Sequence, residues 1–367
     1  MRPRDEFSPR QLSAAAFVCV LSPLVRRYPG ALAATVGRTA WLSVAFLPLL
    51  LALEIAVLRL FYRRQPPRTG FSGILTASLG SGPGRVLTGL YGLWFPVYAG
   101  FLLRSGADRF ISTVYPGAGP GVFVLVTAAI CCLAAAGRTV AIARTAMLFR
   151  PLLTALFIAV FLLSVKELDL RLLLPVTGPD VLPNVYGAVQ LLNVLSAAGF
   201  LVFFSDRLSG SFRLRDWLGR ALGMVLLIGS MTVGCLGVFG PALTARMSYP
   251  FFMLVRDLSA FGALERAEPV VIALWVLSDF VMISLLIQAA EKNLRFCFHA
   301  APGDPASGFS PVIFLCTVLA VAVALAIPGD TQTFRLLSET VIPLVNAAFA
   351  LLLPLPVLAV GLLRRKL

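Results

Sequence analysis

The chain is a succession of apolar runs whose lengths match the hydrocarbon core of a bilayer. Ten such segments can be drawn, over about residues 11–36, 39–61, 86–112, 120–136, 139–163, 184–205, 217–243, 267–290, 310–327 and 336–363. A helix needs about 20 mostly apolar residues to cross a membrane, and no water-soluble core could bury ten of them. Composition agrees: 59% of the 367 residues are hydrophobic and only 13% are charged, against about a quarter charged in an ordinary soluble domain. A cytosolic enzyme, a disordered chain and a disulfide-framed secreted domain are all excluded. The joints between runs are too short for a soluble domain. The expected fold is all-α and integral to the membrane, a single polytopic domain of about ten transmembrane helices over residues 1–367.

Lys and Arg number 31 against 17 Asp and Glu, a net charge of +14. These charges are spread between the apolar runs, with no basic stripe interleaved with aromatics. They fit loop anchors facing anionic lipid, and no nucleic-acid partner is expected. With the N-terminus inside, eighteen basic residues fall on the cytoplasmic side and eleven on the other, while Arg144 and Arg150 lie within the fifth span. That bias predicts both termini in the cytoplasm. The polar start lacks a small-residue cleavage site, so the first run reads as a retained anchor.

The six cysteines form no CxxC pair, and the single histidine, His299, follows a helix. Neither a disulfide frame, a metal site nor a cofactor is expected. Gly80-Ser81-Gly82-Pro83-Gly84 lacks the Gly-Lys-Ser/Thr of a phosphate loop and reads as a turn entering the third span. No HExxH, GxSxG or paired-carboxylate constellation appears, so no enzymatic activity is expected.

Two spans carry interruptions. Between Leu21 and Gly30 the first run holds Ser22, Pro23, Arg26, Arg27 and Pro29. Either this helix breaks and lines a polar cavity, or the span ends near Leu24 and a loop follows. The sixth run holds Ser196-Ala197-Ala198-Gly199-Phe200, a set of small residues that fits close helix packing or local unwinding. First and sixth are corresponding places in two five-helix halves, where inverted-repeat transporters build their substrate sites. The expected pocket lies at the midplane, near Ser22, Pro23, Ala198, Gly199 and Phe200, with Tyr98 of the third span facing it.

Charges inside a membrane need partners or water. Arg150 and Asp279 lie about halfway along spans five and eight. Glu54 and Arg144 lie in the cytoplasmic halves of spans two and five. Depth therefore pairs Asp279 with Arg150 and Glu54 with Arg144, as static ion pairs or as a proton- or cation-responsive gate. Arg150, beside Pro23, would then act as a fixed cation, and ligand binding would be independent of sodium. Between the seventh and eighth runs, Phe251, Leu254, Val255, Leu258 and Phe261 follow helical spacing, which predicts a short helix on the outer surface that caps the extracytoplasmic side and seats its apolar face in the membrane as an interfacial anchor.

Phe7-Ser8-Pro9-Arg10-Gln11-Leu12, Tyr28-Pro29-Gly30, Gly37-Arg38-Thr39-Ala40-Trp41-Leu42, Tyr249 to Asp257, Leu264-Glu265-Arg266 and Trp275 together resemble the endospore germination permease family. These are the B subunits of GerA-type spore germinant receptors. The resemblance implies the fold of the amino acid–polyamine–organocation superfamily: two inverted five-helix repeats, here about 11–163 and 184–363, with helices 1 and 6 discontinuous. It implies a sensor of amino acids or other small nutrients, set in the inner membrane of the dormant spore. Its partners would be an A subunit and a lipoprotein C subunit, and its signal would lead to ion release. Two departures are local. The glycine-containing motif usual at the break of the first helix appears here as Leu21-Ser22-Pro23-Leu24. A Gly-x-Glu pattern common in the sixth helix of relatives is matched only at Gly199, with Leu201 where the acid would fall. A proton-coupled secondary transporter of amino acids or related small molecules is the alternative function.

Overall fold

Apolar surroundings leave the backbone no hydrogen-bond partner but itself, so each long apolar run closes into a helix. The computed structural model describes residues 6–63, 65–66, 68–115, 117–209, 214–260, 267–298 and 310–364, with the backbone alone at residues 22, 25–27, 214–216, 259–260, 267 and 331. In chain order the helices are α1 (Pro9–Val36), α2 (Ala40–Tyr62), α3 (Phe71–Leu79), α4 (Ser81–Thr113), α5 (Pro120–Ala136), α6 (Thr139–Ser164), α7 (Val181–Leu195), α8 (Leu214–Arg246), α9 (Pro250–Ala260), α10 (Ala267–Cys297), α11 (Pro311–Ala326), α12 (Thr331–Leu336), α13 (Ile342–Ala347) and α14 (Pro354–Leu363). Apart from α3 and α9, which lie in the joints, they cover the ten apolar stretches of the sequence. Among the described residues, seven helical runs are long and apolar enough to cross a membrane, and the apolar stretches Pro9–Leu21, Pro120–Ala136 and Pro311–Ala326 are shorter.

The first helix starts where its sequence dictates. Ser8 accepts from the Gln11 N–H at 3.3 Å while the Gln11 side chain accepts from the Ser8 N–H at 2.8 Å, a reciprocal capping box with Pro9 at the first helical position. Just before it, the Phe7 N–H donates to the Arg207 carbonyl at 3.0 Å, and the Ser209 N–H to the Phe7 carbonyl at 2.9 Å. The start of the chain is thereby tied to the end of the sixth span. Gly80, at φ 97°, makes the turn between α3 and α4, a left-handed backbone that glycine adopts at least cost.

Two apolar cores hold the bundle. The larger centres on α4 and α10 and takes in α5, α6 and α9; the smaller joins α1, α2, α7 and α8. Outside them a belt of large apolar side chains faces outward, including Leu49 at 75% exposed and Leu148 at 71%. In water such a belt would be an aggregation hazard, whereas lipid tails solvate it.

Helix α9 confirms the helical spacing read from the sequence but not the surface it was expected to cover. Phe251, Leu254, Val255 and Leu258 are buried, and the Phe251 ring stacks on Phe157 with centroids 4.8 Å apart. The apolar face points into α1, α6, α8 and α10, so α9 is a lid on the bundle. Phe261 and His299 lie outside the described residues.

Candidate functional site

The sixth span changes character where its small residues begin. α7 ends at Leu195, and Ser196–Arg207 continues as a 3₁₀ helix. With three residues per turn, every third side chain shares a face. Phe200 and Phe203 therefore stand one above the other and pack on α4: Phe95–Phe200 and Tyr91–Phe203 centroids are each 4.9 Å apart. The far end of the segment is held by Lys292 of α10, whose Nζ donates to the Phe203 carbonyl at 2.7 Å and also to Asp206.

The last helical run is irregular too. Two π-helical turns, Leu337–Val341 and Ala348–Leu352, interrupt it, a form that recurs at functional sites. Between this run, α1, α4 and α7 lies a cavity of about 180 Å³. Its walls carry Pro23 and Tyr28 from α1, Tyr98 and Phe101 from α4, Gln190 from α7, and Ser338, Glu339 and Asn346 from the last run. The Trp94 Nε1–H donates to Asn346 Oδ1 at 3.0 Å. That leaves the Asn346 amide N–H groups for the cavity. The Tyr28 hydroxyl donates to the Gln190 carbonyl at 3.3 Å. At one side Arg335 and Glu339 form an ion pair at 3.0 Å, with side chains 55% and 25% exposed. A small cavity with an aromatic wall, convergent amides and both signs of charge can hold a small polar molecule.

Of the residues expected at a midplane site, the structure brings Pro23 and Tyr98 to the cavity wall. Phe200 lies behind Tyr98, with ring centroids 6.4 Å apart, and supports the wall without facing the cavity. Ala198 packs on the smaller core, and Gly199 faces Glu54. The Ser22 side chain lies outside the described residues. The expected break in the first span is absent, because α1 runs unbroken from Pro9 to Val36 across both prolines. Pro23 frees the Cys19 carbonyl; the Val18 carbonyl beside it accepts from the Ser278 hydroxyl, so α10 packs against this turn.

Neither expected charge pair forms. Asp279 is held by Arg109, both are buried, and the Arg109 guanidinium lies 5.1 Å from the Trp275 ring centre. Arg150 lies over the Phe17 ring at 5.7 Å, Arg144 is exposed, and Glu54 turns toward Gly199. Depth along a span does not give azimuth, and Arg109, within the third apolar run but counted with the basic residues of the outer side, belongs to a 33-residue α4. Sequence reasoning also passed over Trp94, Gln190 and Asn346. The Arg335–Glu339 spacing of four was its one readable signal.

The sequence model of the spore germination protein family matches residues 6–327. The chain belongs to this family. No curated protein shows significant similarity to it. Family membership and seven membrane-length apolar runs together make it a germination-related membrane protein. The family match ends before α12, so Arg335, Ser338, Glu339 and Asn346, which form one wall of the cavity, lie outside the matched residues.

Proposed function

We propose that the chain is the membrane subunit of a germinant receptor and that it binds a small nutrient, an amino acid, in the cavity between α1, α4, α7 and the last helical run. The observation that carries this reading is the lining itself. Tyr98 and Phe101 give an apolar surface, Asn346 gives amide donors, and Arg335 with Glu339 gives one group for a carboxylate and one for an ammonium. With Leu201 the sixth span has no acid at that place, and Glu339 supplies one from the last run. The finer architecture belongs to this proposal: two inverted five-helix repeats, both termini on the cytoplasmic side, in the inner membrane of the spore beside A and C subunits.

The full chain in lipid nanodiscs, titrated with a panel of labelled amino acids, tests it. Saturable binding of one of them, weakened in Glu339→Gln and Asn346→Leu, is the expected result. Absence of saturable binding across the panel would overturn the reading. The alternative, proton-coupled transport, is favoured by the 3₁₀ and π segments, which leave the sixth and last runs free to change pitch. Uptake into proteoliposomes that rises with an imposed pH gradient would select it over a sensor without turnover.

A further inference from the structure

Span two carries one acid, Glu54, in a helix whose other charge is Arg59 near its end. Its position follows from helical arithmetic. Glu54 and Tyr62 are eight residues apart on one face of α2, about 12 Å at 1.5 Å per residue. Gly199 and Ser205 are six apart in the 3₁₀ segment, also about 12 Å at 2.0 Å per residue. The Tyr62 hydroxyl donates to Ser205 Oγ at 2.9 Å, and this bond sets the register. Glu54 therefore arrives opposite Gly199. Its Oε1 is 3.6 Å from where a Cβ on Gly199 would stand, and the Cβ of Ala350, in the second π turn, is 3.7 Å from the same point. Three helical runs meet around this carboxylate, two of them with non-α backbone.

Among the described residues Glu54 has no hydrogen bond and no ion pair. Among the residues with described side chains, the charged groups on the elements around it are engaged elsewhere or exposed; the side chains of Arg26, Arg27, Arg215 and Asp216 lie outside the described residues. In the 3₁₀ segment, Asp206 is bound by Lys292 and Arg207 donates to Thr139. Arg220 of α8 donates to the Pro9 carbonyl, and Arg364, beyond α14, to the Ser78 carbonyl. Arg10 of α1, Arg59 of α2 and Arg246 of α8 are exposed, Arg38 donates to the Leu174 carbonyl, and α7 carries no charge. Asp279, Asp108, Glu291 and Glu339, in other spans, are paired with Arg109, Arg104, Arg295 and Arg335. An isolated carboxylate inside a membrane bundle is costly unless a positive charge joins it.

We infer that Glu54 is a cation-binding group, a site for one positive charge taken as a proton or as a monovalent metal ion, set where α2 meets the 3₁₀ half of the sixth span and the second π turn. Non-α backbone at such a place turns carbonyl oxygens away from ideal intrahelical partners, which is how membrane helices make cation ligands. The site is separate from the nutrient cavity, whose lining does not include Glu54.

The test uses the full chain in liposomes, the probe dicyclohexylcarbodiimide, which modifies protonated carboxyls in apolar surroundings, and peptide mass spectrometry. If the charge is a proton, the Glu54 adduct falls by about tenfold for each pH unit above its midpoint and is indifferent to salt. If it is a metal ion, sodium or potassium protects Glu54 at fixed pH. The variant Glu54→Gln should keep its elution profile and lose whichever pH or salt dependence the thermal transition of the parent shows. Modification of Glu54 that is absent, or that is flat in both pH and salt, would overturn the inference. So would a Glu54→Gln variant that folds and retains the full dependence.

Discussion

Trp94 Nε1–H donates to Asn346 Oδ1 at 3.0 Å, and this bond joins the third span to the last across the wall of the cavity. The indole is also stacked between the rings of Tyr98 and Phe349, at 6.3 and 5.6 Å. It therefore fixes both an aromatic surface and the orientation of an amide. The variant Trp94→Phe keeps the stack and removes the bond. A single hydrogen bond is worth about 1 kcal/mol, so nutrient affinity should drop about fivefold, read by titration in nanodiscs. Unchanged affinity would mean that Asn346 does not contact the ligand.

The buried pair of Arg109 and Asp279 makes a second prediction. Removing one partner strands a charge, at a cost of about 3–5 kcal/mol. Asp279→Ala and Arg109→Ala should each lower the thermal transition sharply in a fixed detergent. The double variant Arg109→Met with Asp279→Leu should recover much of that loss, because apolar replacement of both members removes the uncompensated charge. Arg150→Ala should have a smaller effect, since Arg150 rests on the Phe17 ring and holds no acid. A double variant as unstable as the singles would show that the pair is needed for more than mutual neutralisation.

These two cases show what the sequence could and could not disclose. The helical runs were legible because lipid forces every apolar stretch to satisfy its own backbone, and helix ends sit within a few residues of the composition changes. The capping box at Ser8 and Gln11 and the face of α9 were legible for the same local reason. Partnership was not. Asp279 could be assigned a depth, but which neighbour it meets depends on rotation about two helix axes, and Arg109, near the end of the third run, counts as an outer-side charge when only depth is read. The first-span prolines suggested a break, yet Ser278, 260 residues away, lies against the carbonyl of Val18. The small residues at 196–199 did mark the change in helical pitch, but only the packing of Phe200 and Phe203 on α4 decides for a 3₁₀ form over a loop.

Phe251 offers a test of where the α9 face goes. It is 1% exposed and stacks on Phe157. Truncation to Ala in a packed core costs about 3–5 kcal/mol, so Phe251→Ala should destabilise the protein while leaving its membrane partition unchanged. Loss of membrane association with an unaltered thermal transition would return α9 to the role of an interfacial anchor.

The last run of helices begins with a titratable cap, and its sign can be worked out. Asp330 precedes α12, and its Oδ2 accepts from the Thr333 N–H at 2.7 Å. Hydrogen bonds from Thr333, side chain first and then backbone, hold the Asp330 carboxyl below its ordinary value of 3.8. A depressed acid stabilises the folded form while it is ionised. That contribution is complete above 3.8 and is lost as pH falls below it through the folded value. The first turn of α12, which leads to the Arg335–Glu339 pair at the cavity, should then fray only in acid. Protection of the Thr333 amide, the slowing of its exchange relative to the intrinsic rate at the same pH, should be high at neutral pH and fall below 3.8. Asp330→Asn keeps a good cap without a titrating group, so it should retain that protection in acid. Asp330→Ala should show low protection at every pH. If the parent and Asp330→Asn respond to acid alike, the cap is not what anchors this end of the cavity wall.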